Sequence, residues 1–309
     1  GRRIALRCGY SGPLCGCRGT SGKHFHQHFG RTVSDFPDRS RGEAAVSYLS
    51  VDGITAGYGK QNIIENISFQ LEDGMLMGII GANGSGKTTL LKALCGIVPH
   101  QGTCTLDQTV LEELSARQIA KIIRYIPQRS GVSIDISLLD VVLMGFNPQL
   151  GLLEYPTKQM RESASKALIQ VGLAGKEETN YLHLSEGQKQ LCILARTLVS
   201  DSKLLLLDEP ESALDFRFRY QMLSLLRRWV VSQNRSAVVT LHDPSLALNF
   251  CDRLLLLAEN GVLCVIEPKT DPLDKMEQML SMVYGGISLQ RCQNRRGESQ
   301  IVILREDEE

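Results

Sequence analysis

The sequence predicts an α/β fold in which helices cover a β sheet. From residue 46 onward, short apolar runs typical of buried strands alternate with segments whose apolar residues recur at helical spacing. Apolar residues make up 43% of the 309-residue chain and charged residues 22%, which is an ordinary globular composition with a sizeable core. The 34 basic and 34 acidic residues give zero formal net charge, so we expect no nucleic-acid partner bound through bulk positive charge.

The first predicted elements are three strands followed by one helix. Val46–Ile54 and Asn66–Leu71 alternate apolar and polar residues, which is typical of strands with one buried face. Met75–Ile80 is a short, continuously apolar run, which favours a strand buried on both faces. Thr88–Cys95 has helical spacing and precedes Gly96, a residue type that commonly ends helices.

The remaining elements continue the alternation of helices and strands. Ser115-Ala-Arg-Gln118 is a capping-box pattern and predicts the start of a short helix. The other predicted helices are Thr157–Val171, Gln188–Leu198, Phe216–Val231 and Pro272–Val283, and the predicted strands are Leu204–Leu207, Ala237–Leu241, Leu254–Ala258 and, after an Asn260-Gly261 turn, Val262–Ile266. Residues 129–183 lack buried strands, so we expect a helical subdomain, over about 129–190, inserted into the sheet domain.

A glycine-rich loop lies between the third predicted strand and the first predicted helix. Residues 81–88 read G-A-N-G-S-G-K-T and fit the phosphate-loop pattern G-x-x-x-x-G-K-[ST] of P-loop NTPases. The glycines let successive backbone N–H groups point at phosphates, Lys87 supplies a cation for the β- and γ-phosphates, and the Thr88 hydroxyl can ligate magnesium. The residues expected to contact ATP are Gly81, Asn83, Gly84, Ser85, Gly86, Lys87, Thr88 and Thr89.

Two acidic residues follow the buried strand Leu204–Leu207. A parallel strand would deliver Asp208 to its carboxyl end, where the carboxylate can hold Mg²⁺ through water. Glu209 comes next and could orient or deprotonate an attacking water molecule. Paired acids after an apolar strand are common, and the phosphate loop is what favours the functional interpretation.

Further motifs make the chain resemble the nucleotide-binding subunits of ATP-binding-cassette (ABC) transporters over residues 46–285. In the order of that family, they are Tyr58 in Ala56-Gly-Tyr-Gly (the aromatic stacked on adenine), Gln128 in Ile126-Pro-Gln (the Q-loop), Leu184-Ser-Glu-Gly-Gln188 (the signature, usually L-S-G-G-Q), Ser212-Ala-Leu-Asp215 (the D-loop) and His242 in Leu241-His-Asp (the switch histidine). One departure is Glu186, which stands where the family has its first signature glycine. A carboxylate there is unfavourable near a γ-phosphate unless it points away.

The resemblance implies a P-loop NTPase fold with a mixed sheet core, an N-terminal antiparallel β subdomain and an inserted α-helical subdomain. It implies a catalytic set of Glu209, His242, Gln128 and Lys87. It adds to the ATP contacts Tyr58, Ser185, Gly187, Gln188 and Asp215, and it gives Thr88, Gln128 and Asp208 as Mg²⁺ ligands. The signature helix of one subunit would close on ATP held by the phosphate loop of a second, so a homodimer is implied.

Softer similarities resemble the importer subunits for iron-siderophore complexes, haem and cobalamin. They lie at 140–156, 215–221, 240–251 and 279–285. This resemblance implies polytopic permease subunits as partners, a periplasmic or lipoprotein solute-binding protein as an indirect partner, and a peripheral location on the cytoplasmic face of the plasma (inner) membrane. No apolar run in the sequence approaches the ~20 residues that cross a bilayer, so the membrane part is expected on another chain.

Two other functions stay open at this point, and the chain ends are assigned by composition. The alternatives are a soluble non-transport ABC ATPase and a regulatory subunit with a degenerate site. Residues 1–45 hold eight Lys or Arg and three Asp or Glu, which predicts a disordered basic extension. The alternatives there are a transit peptide, or a zinc or haem site formed by cysteines (Cys8, Cys15, Cys17) and histidines (His24, His26, His28). Residues 46–285 are predicted to be the ATPase domain and 286–309 a C-terminal tail.

Overall fold

The computed structural model describes residues 48–128, 132–151, 153–212, 214–258, 261–295 and 297–305. The predicted basic extension 1–45, with its cysteine and histidine cluster, lies outside the described residues. Within those ranges, no helix has the length and apolar character needed to span a membrane.

Strands and helices alternate along the described chain. In chain order the strands are β1 (Leu49–Tyr58), β2 (Gln61–Leu71), β3 (Leu76–Gly81), β4 (His100–Leu106), β5 (Thr109–Val110), β6 (Ile123–Ile126), β7 (Leu204–Leu207), β8 (Ser236–Thr240), β9 (Arg253–Ala258), β10 (Gly261–Ile266), β11 (Ile287–Gln293) and β12 (Ser299–Arg305). The helices are α1 (Lys87–Leu94), α2 (Ala116–Ile122), α3 (Leu138–Leu143), α4 (Lys158–Gln170), α5 (Glu186–Leu198), α6 (Phe216–Gln233), α7 (Pro244–Phe250) and α8 (Leu273–Tyr284).

A six-stranded mixed sheet forms the centre of the fold, with strand order β10-β9-β3-β8-β7-β6. Five neighbouring strands run parallel, and β10 pairs with β9 in the antiparallel direction. The parallel strands therefore end at the same edge of the sheet, and β3, β6, β7 and β8 bring their following loops together there. The α/β class predicted from the alternation of elements is confirmed.

Each face of this sheet packs into a separate hydrophobic core. On β7, Leu204 and Leu206 belong to one core, and Leu205 and Leu207 belong to the other. All four side chains are fully buried, which explains why the sequence there is uniformly apolar. The first core also contains residues of β1, β2, β4 and α1, and the second contains residues of α3, α4, α5 and α6.

An antiparallel sheet with the order β2-β1-β4-β5 stands at the beginning of the described chain. The predicted bounds of its first two strands were wrong: β1 extends to Tyr58 and β2 begins at Gln61. The connecting turn is Gly59-Lys60, with Gly59 at φ +64°, a left-handed conformation that glycine adopts readily. The β1–β2 pairing has three irregularities, and these interrupt the polar–apolar alternation on which the sequence prediction depended.

Between β6 and β7 the described chain is helical, and α3, α4 and α5 pack on one another.

At the other end of the chain, the segment 286–309 contains an antiparallel hairpin of β11 and β12. Asn249 holds this hairpin against α7, because its amide donates to the Ile301 carbonyl (2.8 Å) and accepts from the Ile301 N–H (2.9 Å).

Candidate active site

The phosphate loop joins the end of β3 to the start of α1, and two of its glycines are required by close packing. Gly86, at φ +91°, adopts the left-handed conformation, and a Cβ there would lie 2.3 Å from Ile64 Cγ2. A Cβ at Gly81 would lie 2.3 Å from the Leu257 carbonyl oxygen. The loop is therefore fixed between β2 on one side and β9 on the other.

The interior of this loop suits a phosphate group. Lys87 Nζ donates to the carbonyl oxygens of Gly81 (3.0 Å) and Ala82 (3.1 Å), so the cation lies over the loop. Burial lowers the pKa of Lys87, an effect that the charges of Glu209 and Asp208 oppose. Among the described residues, the buried Ser85 Oγ has no hydrogen-bond partner. A cation and an unpaired hydroxyl at a helix N-terminus fit an anionic ligand.

The other residues predicted in the loop divide between its tip and its base. Asn83 and Gly84 are exposed at the tip, and the side chain of Thr89 is buried in the first turn of α1. Tyr58 lies at the end of β1 and is 52% exposed. Tyr58 pairs with Gln61, and two residues earlier Ala56 pairs with Ile64, the residue against which the phosphate loop packs, so Tyr58 lies near the β2 side of the loop.

Asp208 follows β7 and accepts three hydroxyl hydrogen bonds. Thr88 Oγ1 and Thr240 Oγ1 each lie 3.0 Å from Oδ1, and the Tyr125 hydroxyl lies 3.1 Å from Oδ2. Burial raises the pKa of Tyr125, and the adjacent carboxylate raises it further, so this phenol stays a donor. The structure thus brings together Thr88 and Asp208, two predicted ligands of one cation. A hydroxyl and a carboxylate are oxygen donors of the kind that Mg²⁺ prefers, so the pair fits the ion.

Glu209 lies beside Asp208 and contacts two of the other predicted catalytic residues, Gln128 and His242. Its φ is +44°, an uncommon conformation for a non-glycine residue, and its N–H donates to Thr240 Oγ1 at 2.7 Å. Its Oε2 accepts from Gln128 Nε2 at 2.8 Å and lies 2.6 Å from His242 Nε2. Gln128 was predicted both as a catalytic residue and as a Mg²⁺ ligand; here its amide binds Glu209 and, at 3.4 Å, Ser212.

The signature segment forms the start of α5. Ser185 is the N-cap: its Oγ accepts from the Gln188 N–H (3.3 Å), and the Gln188 side chain accepts from the Ser185 N–H (3.2 Å). A Cβ on Gly187 would lie 2.8 Å from the ring of Phe218 on α6. Asp215 similarly caps α6 by accepting from the Phe218 N–H at 3.0 Å. Across the described part of the chain, no hydrogen bond joins these residues to the phosphate loop.

Glu186, the residue that departs from the family's signature, is turned toward its own helix. Its Oε1 lies 2.8 Å from Lys189 Nζ, one helical turn further on. Its side chain is 67% exposed. The carboxylate therefore has a cationic partner, which is the arrangement expected if it is to be tolerated beside an anion.

Three residues of the site were not predicted from the sequence. Tyr125 and Thr240 donate hydrogen bonds to the Asp208 carboxylate. The buried Glu211 accepts a hydrogen bond from the His242 N–H at 2.9 Å. Each lies at or just beyond the carboxyl end of a parallel strand, which is the edge where ligands bind in such sheets. That position is the signal that could have identified them.

Known proteins resemble this chain over most of its length. The ABC transporter family model matches residues 64–212. Hemin import ATP-binding protein HmuV of Bordetella pertussis is 35% identical over 248 residues, covering 77% of this chain and 92% of its own. Manganese transport system ATP-binding protein MntB of Listeria monocytogenes is 33% identical over 68% of this chain and 86% of its own length.

Two further comparisons concern length and fold. Uncharacterized ABC transporter ATP-binding protein YvrA of Bacillus subtilis is 32% identical over 76% of this chain, and the chain spans about half of its length (53%). Among solved structures, a metal-chelate type ABC transporter in an inward-facing conformation matches with a TM-score of 0.71 and 29% identity, covering 84% of this chain and 98% of that one.

Proposed function

The chain belongs to the family of ATP-binding subunits of ABC transporters, and we propose that it hydrolyses ATP to power solute import through a separate membrane permease. The observation that carries this proposal is the convergence at one sheet edge. The loop cation Lys87, the Thr88–Asp208 pair and the Glu209 carboxylate with its partners His242 and Gln128 all lie there. Together they are the parts that phosphoryl transfer to water needs.

In this proposal the phosphate loop binds ATP. Lys87 exchanges its two carbonyl contacts for the β- and γ-phosphates, the unpaired Ser85 hydroxyl donates to a phosphate oxygen, and Tyr58 stacks on the adenine. Thr88 and Asp208 would hold Mg²⁺, which supplies neutralisation of the phosphate charge when bound. The hydroxyls of Tyr125 and Thr240 hold the Asp208 carboxylate in place, because both donate to it.

Glu209, His242 and Gln128 carry out the hydrolysis step in this proposal. The Glu209 carboxylate accepts the proton of a water molecule as the water oxygen bonds to the γ-phosphorus. The bond from that phosphorus to the bridging oxygen breaks, and its electron pair leaves with ADP. His242 stabilises the transferring phosphoryl group, and Gln128 joins Glu209 to the helical region that follows it in the chain.

A second copy of the chain completes the site in this proposal. The capped start of α5, with Ser185, Gly187 and Gln188, has no hydrogen bond to the phosphate loop of its own chain within the described ranges, and its N–H groups and hydroxyl suit a phosphate held by another copy. Asp215 would lie at the same interface. ATP then joins two copies, and its hydrolysis releases them.

The partner and solute are inferred from the relatives. HmuV is named for hemin import, MntB for manganese transport, and the solved transporter is of metal-chelate type. We assign this chain to import of an iron-siderophore, haem or cobalamin-type solute, delivered by a solute-binding protein to permease subunits. The chain would then lie on the cytoplasmic face of the membrane, with residues 129–190 as the helical subdomain that docks on the permease and 46–285 as the ATPase domain.

ATPase activity of the purified chain tests the enzymatic part of the proposal. Glu209→Gln keeps the size and hydrogen bonds of the side chain but removes its basicity, and turnover should fall by at least about 100-fold with ATP binding retained. Glu113→Gln, an exposed carboxylate on a short turn after β5, is the matched control and should keep full turnover. Equal turnover in Glu209→Gln and wild type would contradict the role of Glu209.

Co-purification tests the transport part of the proposal. A tagged chain expressed with the permease genes that neighbour its own should be recovered with a multi-span membrane protein. Solute uptake should then require Lys87 and Glu209. An active ATPase that never associates with a permease would favour the soluble, non-transport alternative.

A further inference from the structure

Glu211 is a buried acid that lies two residues beyond Glu209, in the turn after β7. It is 2% exposed. Its Oε1 accepts a hydrogen bond from the main-chain N–H of His242 at 2.9 Å, and its Oε2 is buried without a partner among the described residues. Burying a carboxyl group is costly unless it serves a specific contact. The contact that it makes here is with the residue that reaches Glu209.

The residue before His242 is fixed by β3, because the Leu241 N–H donates to the Ile79 carbonyl oxygen at 3.0 Å, and Glu211 is the acceptor for the N–H of His242 itself. His242 lies in the short connection between β8 and α7, and its side chain is 41% exposed. The following residue, Asp243, caps α7 by accepting from the N–H groups of Ser245 (2.8 Å) and Leu246 (3.3 Å). The main chain is thus held at Leu241 by β3 and at Asp243 by the helix cap, and Glu211 adds the contact at His242 between them.

Glu211 can accept the hydrogen bond from His242 whether its carboxyl group is neutral or ionised. Burial raises the pKa of its carboxyl group, and the negative charge of Glu209 raises it further, while the hydrogen bond from the His242 N–H and the charge of that imidazole oppose the rise. An acceptor oxygen persists in either protonation state. Its hydrogen bond to the main chain therefore does not depend on the charge of Glu211.

Resting on the proposed role of His242, we propose that Glu211 is a positioning residue for ATP hydrolysis: its carboxyl oxygen holds the main chain of His242 where the imidazole reaches Glu209 Oε2. Glu211 itself is buried beneath His242 and acts through that residue. It links the end of β7, which carries Asp208 and Glu209, to the end of β8, which carries Thr240 and His242. Glu209 and His242 are then held in a fixed position relative to one another.

Variants of similar size separate this role from simple packing. Glu211→Gln keeps an acceptor oxygen, whereas Glu211→Met fills nearly the same volume and has none. Glu277 is the matched control, because its Oε1 likewise accepts a main-chain N–H, that of Leu289, and it belongs to α8. Glu277→Met should keep wild-type kcat.

Single-turnover and steady-state ATP hydrolysis give the primary readout. Glu211→Met should lower kcat by roughly 10- to 100-fold with the KM for ATP within about threefold of wild type, because the loss concerns the transition state. Glu211→Gln should keep at least about half of the wild-type kcat. In the His242→Ala background, Glu211→Met should have no further effect beyond about twofold, because residues that act as a unit are not additive.

The outcomes that overturn the inference are distinct from those that overturn the proposed function. An equal fractional loss from Glu211→Met in the presence and absence of the His242 imidazole would show that Glu211 does not act through it. A Glu211→Gln variant as impaired as Glu211→Met would exclude the acceptor role. Wild-type turnover in His242→Ala would instead contradict the proposed role of His242.

Hydrogen exchange of the His242 main-chain N–H gives a second readout that does not depend on hydrolysis. In the nucleotide-free chain this amide should be protected in the wild type and in Glu211→Gln. It should exchange at least about 10-fold faster in Glu211→Met, because its acceptor is gone. Equal protection in all three proteins would overturn the inference.

Discussion

Replacing Gly86 by alanine tests the packing that shapes the phosphate loop. The left-handed backbone at φ +91° costs an alanine about 1–2 kcal/mol. A Cβ 2.3 Å from Ile64 Cγ2 forces either the loop or β2 to move, and such overpacking costs about 1–3 kcal/mol. Together these effects should lower the free energy of unfolding by about 2–5 kcal/mol, and the displaced loop should lose ATP binding.

Gly175→Ala is the matched control for this substitution. Gly175 is also left-handed, at φ +74°, but a Cβ there would have no heavy atom within 4 Å. Only the backbone cost of about 1–2 kcal/mol should remain, with ATP binding unchanged. Urea unfolding without nucleotide and calorimetric titration with ATP measure both effects. Equal destabilisation by the two substitutions would refute the close contact between the loop and β2.

Three further predictions concern stability and the signature helix. Asp252→Asn should destabilise the fold by about 2–3 kcal/mol at pH 7. Burial alone would raise the pKa of Asp252, but hydrogen bonds from Arg227 and Lys269 hold this pKa below the usual 3.8. The stabilisation is therefore lost as the pH falls from 3.8 through the lowered pKa, so the difference in unfolding free energy between wild type and Asp252→Asn should be smaller at pH 3 than at pH 7. Lys189→Met should lower ATP turnover at unchanged Tm by leaving Glu186 unpaired, and adding Glu186→Gly should restore turnover; equal turnover in Lys189→Met and wild type would contradict this. Asn249→Ala should cost about 1–2 kcal/mol in urea unfolding, because the C-terminal hairpin loses two hydrogen bonds, while kcat for ATP stays the same.

The sequence predicted well those elements whose signal is local. The strand Leu204–Leu207 has its predicted bounds, because both of its faces are buried and two acids end the apolar run. The capping box at Ser115 likewise marks the start of α2, since the cap is made within four residues, whereas α5 begins at Glu186, two residues before the predicted Gln188.

Elements with weak local signals were missed. β6 has only four residues and follows α2 without an intervening turn, so no breaker separates the two. α7 is seven residues long, too short for a helical period to be recognised, and begins at Pro244. The C-terminal hairpin is stabilised in part by contacts with α7 that lie about 50 residues away in sequence.

Contacts within the site depend on strand order, which the sequence does not contain. Tyr125 and Thr240 meet at Asp208 because β6, β7 and β8 are neighbours in the sheet. The contact between Gly86 and Ile64 similarly joins a loop to a strand of the other sheet. The motifs therefore indicated the chemistry, and the sheet topology determines which residues hold the motif residues in place.

Sedimentation of the Glu209→Gln chain with nucleotide tests most directly whether one ATP is held by two copies. With saturating ATP and Mg²⁺ the protein should sediment as a dimer, and with ADP, or after adding Lys87→Ala, as a monomer. A Glu209→Gln chain that binds ATP in a titration yet sediments as a monomer, alone and with its permease, would contradict the shared site.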